Sequence, residues 1–386
     1  MEVSQDIGFE IFSWLPAKSI CKFKSTCNPF SKFSEETVFR TKQTQNLFGK
    51  DDTCLFIQPD EISQKYVTKR VELYSLHNHQ QSSGAPNNVL SFLSNTASVI
   101  ASCNGLVLCH HINDPAKVFI CNPITKFWSF IPISESIQIN NNFANAKLML
   151  HCSLDDYKVF LFENTMEWGR HPTCYTCSVY HGKEGVWKTM ERGFLPGERN
   201  IEFDMPVFYN GALYFISDSG QYFARPSPFY KPYIMSYNLE NGISTMFRLP
   251  REAIKGFHLP CKMGIFNWGK ASNSNGSICL VKLRKSTFTV WFLGDYESCS
   301  WEKVFKTRVR AMGLKEKDPY VTAFTVVNGN RLVFATEERV YSCCLDKKRF
   351  MKIEEICQHN CGFNPRFISY LDTYRSCGIN AETMPC

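Results

Sequence analysis

Apolar positions along the chain change their period near residue 50. Before it, Ile7, Ile11, Phe12 and Leu15 stand at steps of four, one and three, which places them on one side of a short helix. Pro16 lacks an amide proton and its ring crowds the preceding turn, so it ends or kinks that helix. Ile20, Phe23 and Cys27 repeat the helical spacing, with Lys18, Lys22 and Lys24 between them as solvent-facing positions, and Pro29 closes the run. Ser34-Glu35-Glu36 predicts a third helix, with Ser34 as N-cap and the acids in the first turn, carrying Val38 and Phe39 towards Gln45. From about Cys54 the apolar runs become short and rich in aromatic and β-branched residues, as in Val118-Phe119-Ile120, Lys158–Phe162 and Thr287–Phe292. These are strands, and no long amphipathic helix follows residue 50.

Two marks recur through the strand-rich region. The first is an Asn-Gly pair leading into an apolar run, at Asn104-Gly105, Asn210-Gly211, Asn275-Gly276 and Asn328-Gly329. That dipeptide suits a type I′ hairpin, where both central residues need positive φ. The second is an aromatic after a polar turn: Trp128, Trp187, Phe247, Trp301 and Phe350, at intervals of 59, 60, 54 and 49 residues. Such an interval fits one four-stranded propeller blade. Residues 55–386 then hold about six blades, and the expected fold is mainly β: a kelch-like β-propeller preceded by a small all-α module. The expected division is a helical module over 1–48 and a propeller over 54–386.

Three short helices in 45 residues bury little surface alone, so the module needs the following domain or a partner to cover it. The pattern leaves open a docking element or a helical cap on the main domain. Composition narrows the classes. Apolar residues at 44% and charged residues at 20% belong to a globular chain. The net charge of +7 is spread along the sequence, and its densest run (Lys306, Arg308, Arg310, Lys315, Lys317) is broken by Glu316 and Asp318. It is expected to be a solvated loop, and no nucleic-acid partner is expected. Glu2 and Asp6 precede any apolar run and no stretch approaches a bilayer span, so neither secretion nor a membrane partner is expected. In an intracellular chain the 18 cysteines are then reduced thiols acting as small buried hydrophobes.

Candidate chemistry is sparse. His171, Cys174, Cys177 and His181 are all possible zinc ligands, but they crowd into eleven residues, and on a strand Cys174 and Cys177 would face opposite ways. Cys357, His359 and Cys361 lack a second ligand pair. His77, His79, His110 and His111 are expected in loops or turns, and the adjacent acids Asp155-Asp156 and Glu354-Glu355 as surface charge. Trp128, Trp187 and Trp301, at one per repeat, are expected to anchor blade packing. Asn275-Gly276-Ser277 matches a glycosylation sequon that an intracellular chain would not use. No nucleophile elbow, P-loop or dinucleotide fingerprint occurs, so no catalytic residue, cofactor or metal is expected.

Asp6-Ile7-Gly8-Phe9-Glu10-Ile11 through Leu15-Pro16-Ala17-Lys18-Ser19-Ile20, followed by Phe23-Lys24 and Cys27, resembles the F-box of plant F-box proteins. Ser102-Cys103-Asn104-Gly105-Leu106, Asn122-Pro123-Ile124-Thr125-Lys126-Phe127-Trp128 and Asn210-Gly211-Ala212-Leu213-Tyr214 resemble, in order, phrases of the kelch-like F-box-associated domain of the same family. The resemblance implies docking onto the Skp-type adaptor of a cullin–RING ubiquitin ligase, with Ile7, Ile11, Leu15, Pro16, Ile20 and Phe23 as apolar contacts. It implies that the propeller receives an unidentified target protein, in the cytoplasm or nucleus, without catalysis by this chain. Val3-Ser4 and Asn28-Pro29-Phe30 depart from the F-box pattern at its two ends, which predicts weaker adaptor binding. Two other classes stand beside this one: a propeller enzyme, which would need convergent groups in the channel, and an interaction scaffold with a degenerate F-box.

Overall fold

A computed structural model describes residues 5–24, 32–59, 71–76, 93–132, 146–164, 174–219, 231–255, 260–269, 276–345, 352–359, 361, 364–378 and 380–384. Three helices come first: α1 (Gln5–Phe12), α2 (Ala17–Lys24) and α3 (Thr37–Asn46). Pro16 separates α1 from α2, as its chemistry requires. The third helix starts later than its acids suggested. Its cap is Glu36, without a side-chain capping bond. Ser34 and Glu35 close a preceding turn (Glu35 N–H to Lys32 O 2.9 Å, Glu36 N–H to Phe33 O 3.0 Å), and Arg40 Nε donates to the Ser34 carbonyl at 2.6 Å. Ser34 is held there and cannot cap. Cys27, Val3-Ser4 and Asn28-Pro29-Phe30 lie outside the described residues.

Six antiparallel sheets follow. The first contains β1 (Cys54–Gln58) and β2 (Glu72–Ser75). The second contains β3 (Ala97–Cys103), β4 (Leu106–His111), β5 (Asp114–Asn122) and β6 (Phe127–Phe130), and the third β7 (Ala146–Cys152), β8 (Tyr157–Asn164), β9 (Tyr175–His181) and β10 (Val186–Thr189). The fourth runs β11 (Ile201–Tyr209), β12 (Ala212–Ser217), β13 (Tyr233–Asn238) and β14 (Ser244–Arg248). The fifth runs β15 (Lys262–Trp268), β16 (Ser277–Arg284), β17 (Thr287–Asp295) and β18 (Ser300–Arg308), and the sixth β19 (Ala323–Val327), β20 (Arg331–Ala335), β21 (Arg339–Cys344) and β22 (Ile353–Gln358). Then β23 (Arg366–Tyr370) returns to pair with β1, from Cys54 opposite Tyr370 to Gln58 opposite Arg366, and β24 (Glu382–Thr383) adds to the outside of β6. The result is a six-bladed β-propeller closed by its own C-terminal strand.

The second strand of each blade is buried on both faces, so it reads as a continuous apolar run instead of an alternation. Successive residues go to opposite neighbours. On β1, Leu55 and Ile57 pack towards blade six while Cys54 and Phe56 pack towards blade two. On β12, Leu213 and Phe215 join blade three, while Tyr214 and Ile216 join blade five. Six inter-blade cores arise this way, and thiols fill several of them, among them Cys109, Cys177, Cys279 and Cys343. All are free, and burial pushes the Cys177 and Cys343 thiols up to about 12.

The two sequence marks occupy fixed places in the blades. Asn104-Gly105, Asn210-Gly211 and Asn328-Gly329 each join the first strand of a blade to the second, with positive φ at both residues as a type I′ turn demands. Asn275 and Phe350 lie outside the described residues. Trp128, Trp187, Phe247 and Trp301 stand on the fourth strands of their blades, which are outermost except in blade two, where β24 covers β6. The indole N–H of Trp187 donates to Pro132 O at 2.8 Å and that of Trp301 to Arg248 O at 3.0 Å, each reaching the preceding blade. They are inter-blade staples.

Other positions differ from expectation. Lys306 and Arg308 belong to β18 and not to a loop, since an outermost strand can turn charged residues to solvent; Arg310 pairs with Asp318, and Lys315 with Glu355 at 2.8 Å. His110 and His111 end β4, where His111 Nδ1 accepts the Asn113 N–H at 3.2 Å. Glu354 and Glu355 are half-buried and paired, with Arg331 at 3.1 Å and Lys315 respectively, so they are structural charges.

The Asn328-Gly329 turn generates two tests. Gly329 has φ +67°, and a Cβ there would lie 2.0 Å from the Gly269 carbonyl oxygen; Gly211 has φ +72° with open space around it. Gly211→Ala should therefore cost only the left-handed penalty of about 1 kcal/mol, and Gly329→Ala about 3 kcal/mol or more as backbone must move; urea denaturation checks the difference. Asn328 also holds Asp52, accepting its N–H at 2.7 Å and donating to its carbonyl at 3.0 Å. Burial first, and Asp51 after it, push the Asp52 carboxyl up to about 6 despite a hydrogen bond from Ser369. An unfolded Asp loses its proton near ~4, so between these values the folded chain holds the extra proton and stability falls as pH rises. The stability advantage of Asp52→Asn over wild type should grow by about 2 kcal/mol between about pH 4 and about pH 7, in matched melts.

Candidate functional site

Residues 371–378, after β23, have no regular structure, yet Leu371, Asp372, Thr373, Tyr374, Arg375 and Cys377 are buried. A buried irregular segment needs partners for its backbone, and this one has them. Asn122 Nδ2 donates to the carbonyls of Thr373 (2.9 Å) and Arg375 (2.8 Å), while its Oδ1 accepts the Ile124 N–H at 3.0 Å. Thr373 Oγ1 donates to Asn104 O at 2.8 Å, where Gly105 leaves room that a Cβ would fill. Tyr157 Oη donates to Cys377 O at 3.0 Å. The tail thus lies across the end of the propeller that carries the first and third turns of blades two and three.

The helical module is seated on this tail. Asp372 accepts the Lys18 N–H (2.8 Å) and the Thr53 hydroxyl (2.6 Å), and its carbonyl accepts the Ala17 N–H at 3.2 Å. Burial raises the Asp372 carboxyl, and the Thr53 and Lys18 bonds oppose that rise. Gln43 bridges the two parts: its Oε1 accepts the Tyr374 N–H and its Nε2 donates to Leu15 O, each at 3.0 Å. The Tyr374 ring then enters the module's core beside Ala17, Ile20, Phe33 and Phe39, with Ile124 of blade two packed against it. The module's core is completed by the propeller.

What remains outside that core is an apolar surface. Ile7 and Ile11 are each 56% exposed, Trp14 51% and Phe23 45%. Ile7, Ile11 and Trp14 follow a helical spacing of four and three, and Phe23 meets Phe12 edge-on at 5.2 Å. Leu15 and Pro16 are half-buried beside this surface, whereas Ile20 is only 2% exposed and turned inward. The six expected contact residues therefore divide into three exposed ones (Ile7, Ile11, Phe23), two half-buried ones (Leu15, Pro16) and one, Ile20, that supports the helices from below. Trp14 was missed, although its spacing from Ile7 and Ile11 could have found it. Glu10 and Lys42 form an ion pair beside the stripe, and Lys50 lies over the Trp14 ring at 5.7 Å.

The opposite end of the propeller is free of the module. There the inner strands β11, β15, β19 and β23 open into a cavity of about 630 Å³. Pro206 lies where β11 leaves register with β12, between Glu202 and Val207, a position where a strand tolerates proline. Glu202 and Asp204 alternate with the buried Phe203 and line the cavity. Desolvation raises the Glu202 carboxyl, and Asp204 and Asp218 raise it further. Across from them the Lys262 ammonium donates to Thr322 O and to Asn364 Oδ1 (3.2 Å), and burial lowers it. Arg366 faces Asp204 at 3.7 Å, and Phe266 and Phe324 supply apolar wall. Charges of both signs on an apolar frame suit the side chains of a peptide.

The ligand-like clusters come apart. Cys177 is sealed between blades three and four, Cys174 precedes β9, His181 ends it, and His171 lies outside the described residues, as do His77 and His79. His359 is buried with Nε2 against Thr336 O (3.1 Å) and Nδ1 accepting the Cys361 N–H (3.3 Å). Among the described residues no group of three or more His, Cys, Asp or Glu gathers as a metal site, and no helix is long and apolar enough to cross a membrane.

Residues 63–373 match the F-box associated beta propeller domain. An F-box protein of Arabidopsis thaliana is 22% identical over 318 residues, covering 80% of this chain and 79% of that one. An F-box/kelch-repeat protein of the same plant is 23% identical over 188 residues, covering 47% and 49% respectively. Among solved structures, Kluyveromyces lactis Hsv2 aligns with a TM-score of 0.39 at 13% identity, over 81% of this chain and 97% of that one. With a match spanning most of its length and six blades in place, the chain belongs to the family of F-box-associated β-propeller proteins.

Proposed function

We propose that this protein is the substrate-recognition subunit of a Skp–cullin–F-box type ubiquitin ligase. The observation that carries the reading is the exposed stripe of Ile7, Ile11, Trp14 and Phe23 on a module whose other side is sealed to the propeller. Large apolar side chains left in water on a rigid surface are suited to a partner that covers them. In this reading the Skp-type adaptor contacts Ile7, Ile11, Leu15, Pro16 and Phe23, while Ile20 holds the helices in the shape the adaptor meets. A target protein docks at the far end, where the channel-mouth cavity offers Glu202, Lys262 and Arg366. The chain performs no chemistry of its own: holding adaptor and target on one rigid body raises the target's effective concentration at the ligase. The buried free thiols suit the reducing cytoplasm or nucleus.

Co-purification with the Skp-type adaptor tests this. Ile7→Glu with Ile11→Glu should reduce adaptor affinity at least ~10-fold, the scale of losing an interface hot spot, and leave the melting temperature unchanged because both side chains are exposed. Ile20→Ala should instead lower the melting temperature, with a cost of about 2–4 kcal/mol for a buried isoleucine. Full adaptor capture by the double glutamate variant would refute the assignment.

A further inference from the structure

Between α3 and blade three lies a second cavity, of about 600 Å³, lined by none of the residues assigned above to adaptor or target. One wall is α3, with Arg40 and Thr44; the other is formed by the β7–β8 and β9–β10 turns and the tail. Arg375 of the tail is 6% exposed. Its Nη2 donates to two neutral acceptors, the carbonyls of Ser153 (2.8 Å) and Asp156 (2.6 Å). Its Nη1 is buried without a partner, and so is the Thr44 hydroxyl facing the same space. Among the described residues no carboxylate pairs with Arg375, Arg40 or Lys183. A buried guanidinium with an idle donor and no counter-charge is costly, and here it borders a volume inside the range typical of small-molecule sites, ~300–1,000 Å³.

The character of the walls defines what would fit. Arg40, Arg375 and Lys183 bring three positive charges, and Asp155 and Asp156 bring two negative ones. Asp156 Oδ1 is already engaged by the backbone N–H groups of Tyr157 (2.8 Å) and Lys183 (2.9 Å). One positive charge is left over. Leu154, 47% exposed, and Phe127 give the cavity an apolar side. We propose that this interdomain cleft binds a small organic monocarboxylate, its carboxylate held by Arg40 and Arg375 and its apolar body resting on Leu154 and Phe127. Charge-assisted hydrogen bonds to arginine supply the specificity. Because the walls come from the module on one side and the propeller on the other, the ligand would brace the joint between adaptor-binding and target-binding parts, whether or not the adaptor reading holds.

The full chain is titrated with 2-naphthoate and with its neutral counterpart 2-naphthamide, followed by thermal shift and calorimetry, with phenyl phosphate as a third probe. Saturable binding of naphthoate, raising the melting temperature by a few degrees, is expected, with naphthamide inert and phenyl phosphate weaker. Leu154→Glu, at an exposed position, should weaken naphthoate at least tenfold while the unliganded melting temperature stays put; Arg40→Gln, which also gives up the bond to the Ser34 carbonyl, should weaken it at least tenfold whatever its own melting temperature. Equal binding of naphthamide would show that charge is not recognised, and stronger binding of phenyl phosphate would replace the ligand class; either overturns the proposal. So would undiminished naphthoate binding in both variants, or no binding at millimolar concentration.

Discussion

Residues 371–378 cross one end of the propeller as buried, irregular chain, and the arrangement of every other part depends on how they are held. Before them, β23 closes the ring by pairing with β1; after them, β24 extends blade two. Within them, Asp372 and Tyr374 seat the helical module. Such a segment is stable because its backbone groups are matched, chiefly by Asn122 and Tyr157 on the propeller and by Gln43 on α3, with Thr373 Oγ1 bonded to Asn104. Ring closure and module docking are therefore one interaction, made last in the chain.

The consequence for function is geometric. Three short helices would be a poor platform alone, because their core lacks enough apolar surface. With Tyr374 and Ile124 packed into that core, the module becomes an extension of the propeller, and its apolar stripe is left exposed on it. The channel mouth lies at the other end. An exposed apolar stripe at one end and a charged cavity at the other, joined by a buried and hydrogen-bonded segment, are the geometry that the proposed role would need.

The helices and blades were legible in sequence because their signals are local. Pro16 ends α1 by its own chemistry, and the pairs Asn104-Gly105, Asn210-Gly211 and Asn328-Gly329 mark the first turn of their blades because asparagine and glycine accept positive φ most readily. Trp187 and Trp301 were recognisable as anchors from their period, though their donors' reach to the preceding blade was not. The tail was not legible. Leu371–Cys377 carries no periodicity, and the partners that fix it to the propeller and the module, such as Asn122, Tyr157 and Gln43, are hundreds of residues away in sequence. Asn122 shows the limit well: its place in Asn-Pro-x-Thr marked a turn, but its amide's second task, holding Thr373 and Arg375, exists only in the folded ring. The same holds for Ile20, which shares a helical spacing with Phe23 yet points inward, a distinction set by Phe39 and Tyr374 and not by the spacing.

Hydrogen–deuterium exchange on Tyr374→Ala tests most directly whether the tail is what orders the module. Removing this ring deletes the propeller's contribution to the helical core, a loss of about 3–5 kcal/mol on the scale of buried aromatic truncations. Amides of Ala17–Lys24 and Thr37–Asn46 should then exchange together and much faster, while β12, β16 and β20, in the middle of their blades, keep their protection. Undiminished protection in both helices would mean that the module folds by itself and that the tail merely passes beneath it.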